Sequence, residues 1–372
     1  VSDDRMFGLQ RHERVMDELR RHGAVRVREL AELLGVSELT VRRDIAALAA
    51  QNLLTKVHGG ATLPTELTPA APTRRRGSVG PRFTIGMVVP SLDYYWPAIV
   101  SGARSAAAAQ GVNIQLRGST YDWAEDRRQI TRLIEAQQVQ GLLLAPNLEG
   151  DSLEMIRWIG ELPVPVILVE RQPPRWTPTP YQLEWVRSDH ALGLELAVRH
   201  LHDHGHRNIG LLLSKGSPTS AHLARGWDLV CADLGIPAGL VVRDSVRMDE
   251  PGHRALIAQL LDRCRASGAT ALVIHSDPEA MSVAQYCNEL GMTIPGDLAI
   301  VAYDDEVAKL AEPAMTAVRP PKPMVGRTAV ELMVARLTEG RRRPIQRVLV
   351  TPELIIRDSS MPLSTPVRST WA

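Results

Sequence analysis

The sequence predicts an α/β body of two lobes, each a parallel sheet flanked by helices, preceded by a small helical head. Three observations predict it. From Phe83 onward, short apolar runs alternate with stretches of helical period, the pattern of parallel sheets with right-handed crossovers. Seven such runs exceed one comfortable sheet, which argues for two lobes. Between Thr62 and Arg82 the periodicity disappears and Pro64, Pro69, Pro72 and Pro81 accumulate, so the preceding residues stand apart as a unit of their own. A chain of 372 residues has room for both, and 44% hydrophobic with 23% charged residues is the composition of an ordinary globular protein.

The head is organised around Ser37–Ile45. Ser37 is a good N-cap, because its hydroxyl satisfies an orphan amide of the first turn. Val41, Ile45 and Leu48 fall at i, i+4 and i+7 and form one apolar stripe. Leu39, Arg42, Arg43 and Ala46 then point away from it. Two adjacent arginines on the outer face of a short capped helix suit guanine edges and phosphates, although on these residues alone a solvated charged face is the alternative. Upstream, Arg11, Val15 and Leu19 lie four apart on a helix that Gly23 can end. Leu30, Ala31, Leu33 and Leu34 mark a second helix over Val27–Leu34, and Gly35-Val36 supplies the tight turn before Ser37. Downstream, Leu53–His58 reads as a strand and Gly59-Gly60 as its turn, the wing of a winged helix.

This order resembles the DeoR family of bacterial regulators. The resemblance rests on Arg11, Val15 and Leu19, then Ser37, Thr40–Ile45, and the wing His58-Gly59-Gly60-Ala61. It implies a winged helix-turn-helix over residues 1–61 that contacts operator DNA. The candidate contacts are Ser37, Leu39, Thr40, Arg42 and Arg43 on the helix, with Lys56, His58 and Gly59 on the wing. Charge agrees: residues 1–82 carry 14 Lys and Arg against 10 Asp and Glu, while the rest carry 29 against 32.

Residues 62–82 read as a proline-rich linker, semi-extended, with Arg74-Arg75-Arg76 as a charge run. Strands are expected at Ile85–Val89, Ile114–Leu116, Leu142–Ala145, Val166–Val169, Ile209–Leu213, Ala271–His275 and Leu298–Ala302. Helices are expected around Ile130/Leu133/Ile134, Leu192/Leu196/Leu201, Leu223/Trp227/Val230/Leu234, Leu256/Ile257/Leu260/Leu261 and Val325/Ala329/Leu332/Met333.

Ligands of such sheets bind outside the carboxyl ends of the strands. Those positions hold Asp93-Tyr94-Tyr95-Trp96, Glu170-Arg171, Arg187-Ser188-Asp189, Ser214–Ser217 leading to Arg225, Ser276-Asp277 and Tyr303-Asp304-Asp305. Aromatic faces cover the apolar side of a sugar, while charged groups bind its hydroxyls directionally. The candidate effector-binding residues are therefore Asp93, Tyr95, Trp96, Glu170, Asp189, Arg225, Asp277 and Asp304.

The body, residues 83–360, resembles the effector domain of LacI/GalR-type repressors, of type I periplasmic-binding-protein fold. The matching segments are Ile85–Pro90, Val139–Leu144, His200-Leu201 with Gly205–Ile209, Pro295–Leu298, Ala302–Asp305 and Pro352–Ser359. The resemblance implies two α/β lobes joined by three crossovers and closing on a small ligand, a dimer, and a sugar or nucleoside-like effector. Tyr95-Trp96 fall where that family has a Phe-Phe pair, and Asp189 and Asp304 match its carboxylates. Two departures stand out: Ser276-Asp277 replaces Asn-Asp, and Leu223, not Arg225, holds the place of the ligand arginine. The family's usual head with its minor-groove hinge helix is replaced by the DeoR-type one.

Other features carry less. His200, His202, His204 and His206 alternate, but only His200 and His204 share a helix face and no other ligand completes a site, so no metal is expected. Ser214–Ser217 reads as a plain strand–helix loop, and Arg341-Arg342-Arg343 as an exposed one. Cys231, Cys264 and Cys287 are widely spaced and read as buried thiols. No apolar run has bilayer length, and Val1–Arg5 lacks a signal core, so a cytoplasmic protein free of the membrane is expected. Residues 361–372 form a C-terminal tail. The expectation is a regulator of transcription without cofactor, a homodimer repressing a carbohydrate uptake or breakdown operon and leaving operator DNA when sugar binds. The alternative is a carbohydrate-processing enzyme with an appended DNA-binding head; no spacing sets two carboxylates at catalytic separation.

Overall fold

A computed structural model describes residues 11–12, 14–16, 18–19, 24–50, 54–57, 60–62, 81–90, 92, 94–119, 122–148, 152–173, 183–237, 240–244, 246 and 251–360. The expected linker, but for Thr62 and residues 81–82, and the expected tail lie outside these residues. The chain divides into two compact units, Val1–Gly80 and Pro81–Ala372.

In the first unit, a helix α1 within residues 11–19 precedes β1 (Ala24–Arg26), α2 (Val27–Leu34), α3 (Glu38–Ala50), β2 (Thr55–Val57) and β3 (Gly60–Thr62). Val15 and Leu19 meet Leu30, Leu34, Val41, Ile45 and Leu48 in one apolar core, the stripes that the spacing predicts. α2 stops at Gly35, whose φ of 64° is left-handed backbone that glycine adopts without strain, and whose N–H donates to the Ala31 carbonyl. The strands form a small antiparallel sheet in the order β1-β3-β2. Two features differ from expectation. β1 has no counterpart in the sequence reading, because three residues are too few to show alternation. Gly60, read as part of a turn, opens β3, and a Cβ there would lie 2.1 Å from the Val25 carbonyl oxygen. Glycine is what lets the strands close.

The second unit holds two six-stranded sheets. The first lobe contains β4 (Phe83–Val89), β5 (Val112–Gly118), β6 (Gly141–Leu144), β7 (Val166–Val169), β8 (Glu184–Ser188) and β14 (Arg347–Val350), ordered β14-β8-β7-β6-β4-β5. The second contains β9 (Ile209–Leu213), β10 (Val241–Arg243), β11 (Ala271–His275), β12 (Ala299–Tyr303), β13 (Thr316–Arg319) and β15 (Glu353–Ile355), ordered β10-β9-β11-β12-β13-β15. All pairings are parallel except β13 with β15. The buried runs Leu142–Leu144, Ile167–Val169 and Ala271–Ile274 are continuous rather than alternating because helices cover both faces. The helices are α4 (Trp96–Ala109), α5 (Trp123–Glu135), α6 (Ser152–Gly160), α7 (His190–Asp203), α8 (Ser220–Leu234), α9 (His253–Ser267), α10 (Asp277–Glu289) and α11 (Lys322–Glu339).

The chain passes between lobes three times: from β8 into α7, from β13 into α11, and from β14 into β15. All seven expected strands are present, together with five that the sequence reading did not list as strands. α7 buries Leu194, Ala197, Val198 and Leu201 rather than the expected Leu192/Leu196/Leu201 face, because the helix lies against β13, β15 and β11 on that side. α4 escaped the periodicity reading because its buried face is largely alanine and glycine. Added Cβ atoms at Gly102 and Gly326 would stand 2.0 Å from the Pro323 carbonyl and 1.9 Å from the Ile99 carbonyl, so α4 and α11 touch backbone to backbone.

Candidate functional site

The first unit offers one outward face. The Ser37 hydroxyl accepts from the Thr40 N–H at 3.2 Å and lies 2.9 Å from the Thr40 hydroxyl, so Ser37 caps α3 and holds the Thr40 side chain. Leu39 is 65% exposed, and Arg42 and Arg43 are exposed beside it. Arg42 pairs with Glu38 at 3.2 Å on the open surface, a link worth about 0.3–0.5 kcal/mol and easily given up to a phosphate. Asp44, on the opposite side, is buried and takes both Arg11 Nε (2.9 Å) and Nη2 (3.2 Å), with His12 Nε2 at 3.1 Å. That charged clasp ties α1 to α3 and fixes how the exposed face is presented. Lys56 stands on β2, while His58 and Gly59 lie outside the described residues.

The second unit gathers polar groups at the carboxyl ends of its strands. Glu170, just past β7, is the hub. The Ser188 N–H and hydroxyl donate to its Oε2 (3.1 Å) and Oε1 (2.7 Å), and the Tyr95 hydroxyl donates to Oε1 at 3.1 Å. His190 Nε2 lies 3.4 Å from Oε2, while its Nδ1 stands 3.1 Å from the hydroxyl of Tyr303 in the other lobe. Burial would raise the Glu170 carboxyl, but His190 and Ser188 outweigh it and hold it down at about 2. Trp96 is buried with its ring edge-on to Tyr95 at 6.1 Å and beneath the Arg171 guanidinium at 5.6 Å. Trp96 thus joins the core of the first lobe beside its charged neighbour Arg171.

Asp304 follows β12 with a left-handed φ of 105°. Burial drives its carboxyl well above the usual range; Lys322 opposes this, and Asp277 and Glu306 add to it. Burial thus works against the charged form of the acceptor that the sequence offers at Asp304. Lys322, at the crossover into α11, donates to the Asp304 carbonyl, pairs with Glu306 Oε1 at 2.7 Å and lies 5.0 Å from the centre of the Tyr95 ring.

Asp277, which the sequence offers as an effector contact, is fully buried, and its carboxylate accepts the backbone N–H groups of Asp305 (3.2 Å), Glu306 (2.7 Å), Val307 (2.9 Å) and Ala308 (3.2 Å). It braces the turn that carries Asp304. Burial outweighs those four amides and raises its carboxyl to about 6. Asp189 caps α7, its Oδ1 accepting from Leu192 N–H at 3.3 Å. Arg225 is exposed on α8, and Asp93 lies outside the described residues.

Tyr95, Trp96, Glu170 and Asp304 are thus brought together. His190, Tyr303, Lys322 and His275, whose Nε2 lies 3.9 Å from Asp304 Oδ2, join them without having been selected from the sequence. Tyr303 was legible as an aromatic residue beside Asp304 at a strand end. Lys322 was not, since a lysine in a first helical turn is ordinarily solvated. Among the described residues, no group of three or more His, Cys, Asp or Glu is placed to hold a metal ion, and no helix is long and apolar enough to cross a membrane.

Comparison with known proteins agrees with both units. The family pattern described as a DeoR-like helix-turn-helix domain matches residues 11–66, and that of a periplasmic binding protein-like domain matches residues 198–360. The chain is 30% identical to an HTH-type transcriptional regulator in the aml 5′ region of Streptomyces limosus, over 90% of this chain and 94% of that one. It is 24% identical to the arabinose metabolism transcriptional repressor of Geobacillus stearothermophilus, over 89% and 90% of the two chains. Among solved structures, a regulatory protein of the LacI family from Chloroflexus aggregans superposes with a TM-score of 0.62 at 26% identity, covering 75% of this chain and 98% of that one.

Proposed function

We propose, for a chain that belongs to the LacI-type helix-turn-helix transcription regulators and carries a DeoR-type head, that it represses a carbohydrate uptake or breakdown operon and leaves DNA when a sugar-like effector binds between its lobes. One observation carries the reading. The same chain presents a capped helix with Leu39, Arg42 and Arg43 exposed, and a separate two-lobed unit whose polar network spans the lobes through His190 and Tyr303. The helix supplies cations and an apolar contact for base edges and phosphates, from Ser37, Leu39, Thr40, Arg42 and Arg43 with the wing residues Lys56, His58 and Gly59.

A sugar entering between the lobes exchanges hydrogen bonds with Tyr95, Glu170, Asp189 and Asp304 and stacks on Trp96. Its binding energy is spent on closure, a hinge motion that alters how two heads of a homodimer meet two half-sites. The linker of residues 62–82 carries that geometry to the head. The effector is released chemically unchanged, and the protein works in the cytoplasm. The similarity to the arabinose metabolism transcriptional repressor supports the carbohydrate assignment.

The test uses the full chain. Sites are selected from fragmented genomic DNA and footprinted with and without a panel of pentoses, hexoses and disaccharides. The expected result is sequence-selective protection that one sugar removes. Effector affinity should differ by roughly 5–150-fold between free and DNA-bound protein, since coupling is reciprocal. Equal affinities, or protection that no sugar alters, would overturn the reading. Conversion of the sugar during incubation would favour the enzyme alternative.

A further inference from the structure

We propose that the effector is an acidic sugar, a polyol bearing a carboxylate or a phosphate, and that Arg187 and Arg225 together with the His222 imidazole receive its anionic group. This rests on the effector reading above and narrows its chemical class.

Arg187 ends β8 next to Ser188 and is only 6% exposed. Its Nε donates to Gln172 Oε1 at 3.2 Å and its Nη1 to the Ser188 carbonyl at 2.9 Å, both neutral oxygens. Its guanidinium lies 5.4 Å from the ring of Trp185. Two other buried cations of the same unit meet carboxylates: Arg336 reaches Glu184 at 2.8 Å and Lys322 reaches Glu306 at 2.7 Å. Arg187 has no carboxylate within ion-pairing distance among the described residues, and a buried charge without a counter-charge is costly. The acids nearby are engaged elsewhere. Glu170 is taken up by Ser188, Tyr95 and His190, and Asp189 caps α7. Residues 174–182, which follow Gln172 in the sequence, contain no Asp or Glu.

A second cation, Arg225, stands exposed on α8. Burial lowers the Arg187 guanidinium, Asp189 and Glu170 oppose this, and Arg225 adds a smaller lowering. One turn earlier on the same helix face, His222 has Nδ1 buried with no hydrogen-bond partner. Its ring stacks on His190 at 6.1 Å, which links it to the Glu170 hub. Burial, then Arg187, His190 and Arg225, hold His222 down at about 3, so near neutral pH it is uncharged and one ring nitrogen donates. Arg187, held by two neutral oxygens, and His222, stacked on His190, thus flank the Glu170 hub, with Arg225 one turn beyond His222 on α8. An oxyanion supplies the counter-charge that Arg187 lacks among the described residues and is bound by charge-assisted hydrogen bonds, as arginine does for carboxylate and phosphate. A neutral hydroxyl supplies no such counter-charge.

The experiment titrates the full-length protein by tryptophan fluorescence with matched series of ribose, arabinose, glucose and galactose. Each is supplied as the neutral sugar, the aldonate or uronate, and the terminal phosphate. The tightest binder should be acidic, should release DNA, and should lose affinity as salt rises, whereas its neutral counterpart should not. Arg225→Gln should weaken the acid about tenfold or more while changing the neutral counterpart much less, and Arg225→Lys should restore part of the difference. Arg225 is exposed, so the variant should fold; Arg187→Gln is a companion whose folding must be checked first. Comparison of the acid and phosphate arms identifies which anion fits. If a neutral sugar binds tightest, or Arg225→Gln leaves the acid-to-neutral ratio unchanged, this inference is wrong while the regulator reading stands. If none of the series binds or alters DNA protection, both fall.

Discussion

The two units solve opposite problems with the same residue types. In the head, Arg42 and Arg43 stand in water on a helix whose buried side is closed by Asp44 and Arg11. Its proposed DNA contacts are open to solvent and its structural charge is hidden. In the body, the proposed effector contacts belong to a buried network: Glu170, His190 and Tyr303 hold one another across the lobes. DNA has a surface too large to be swallowed, so its reader must be exposed, and losing one contact costs affinity but not fold. A small effector is enclosed, so its receptor must desolvate charges and keep them paired until the ligand takes over. Contact and stability are separable in the head and inseparable in the body.

The largest expected effect tests that inseparability. Glu170→Ala leaves Tyr95, Ser188 and His190 without their common acceptor in a buried place. It should cost about 3–5 kcal/mol of body stability in urea unfolding, together with the effector response. A loss below about 1 kcal/mol would show that the network is solvated and the contrast overdrawn. Next in size, Arg43→Ala should weaken operator binding by roughly tenfold or more while the unfolding midpoint stays where it was. A variant that footprints like the parent would take α3 out of the groove.

The smallest effect sharpens the comparison through pH. His206 is buried in the body with Nδ1 at 2.9 Å from the Thr270 hydroxyl, and burial, then His204, His200 and Arg207, lower its imidazole to about 4. The unfolded imidazole takes its proton near 6.5, so between about 6.5 and 4 the unfolded chain binds more protons than the folded one. This contribution is full above that window and is lost as pH falls through it. His206→Gln should therefore unfold with a shallower pH dependence there than the parent chain; identical slopes would refute the assignment.

What the sequence determined by itself is whatever repeats locally. The stripes of α3 and α2, the Ser37 cap, the outward pair Arg42 and Arg43, and the seven core strands follow from spacing, because burial of one face imposes a period on the chain. The strand ends were legible for the same reason, and they bring Tyr95, Trp96, Glu170 and Asp304 to one end of the sheets, where they are proposed to meet the effector. Tertiary structure decided what no period encodes. Asp277 and Asp304 each follow a strand, yet one spends its carboxylate on four amides of a neighbouring turn and the other is driven towards neutrality by burial. Their difference arises from the backbone of residues 305–308, close in space to Asp277 and distant in sequence. Lys322, Tyr303 and Arg187, which among the described residues meets neutral oxygens and no carboxylate, took their meaning in the same way. A charge's role depends on which partners and how much water surround it, and those are set only when two lobes built from separate stretches of chain come together.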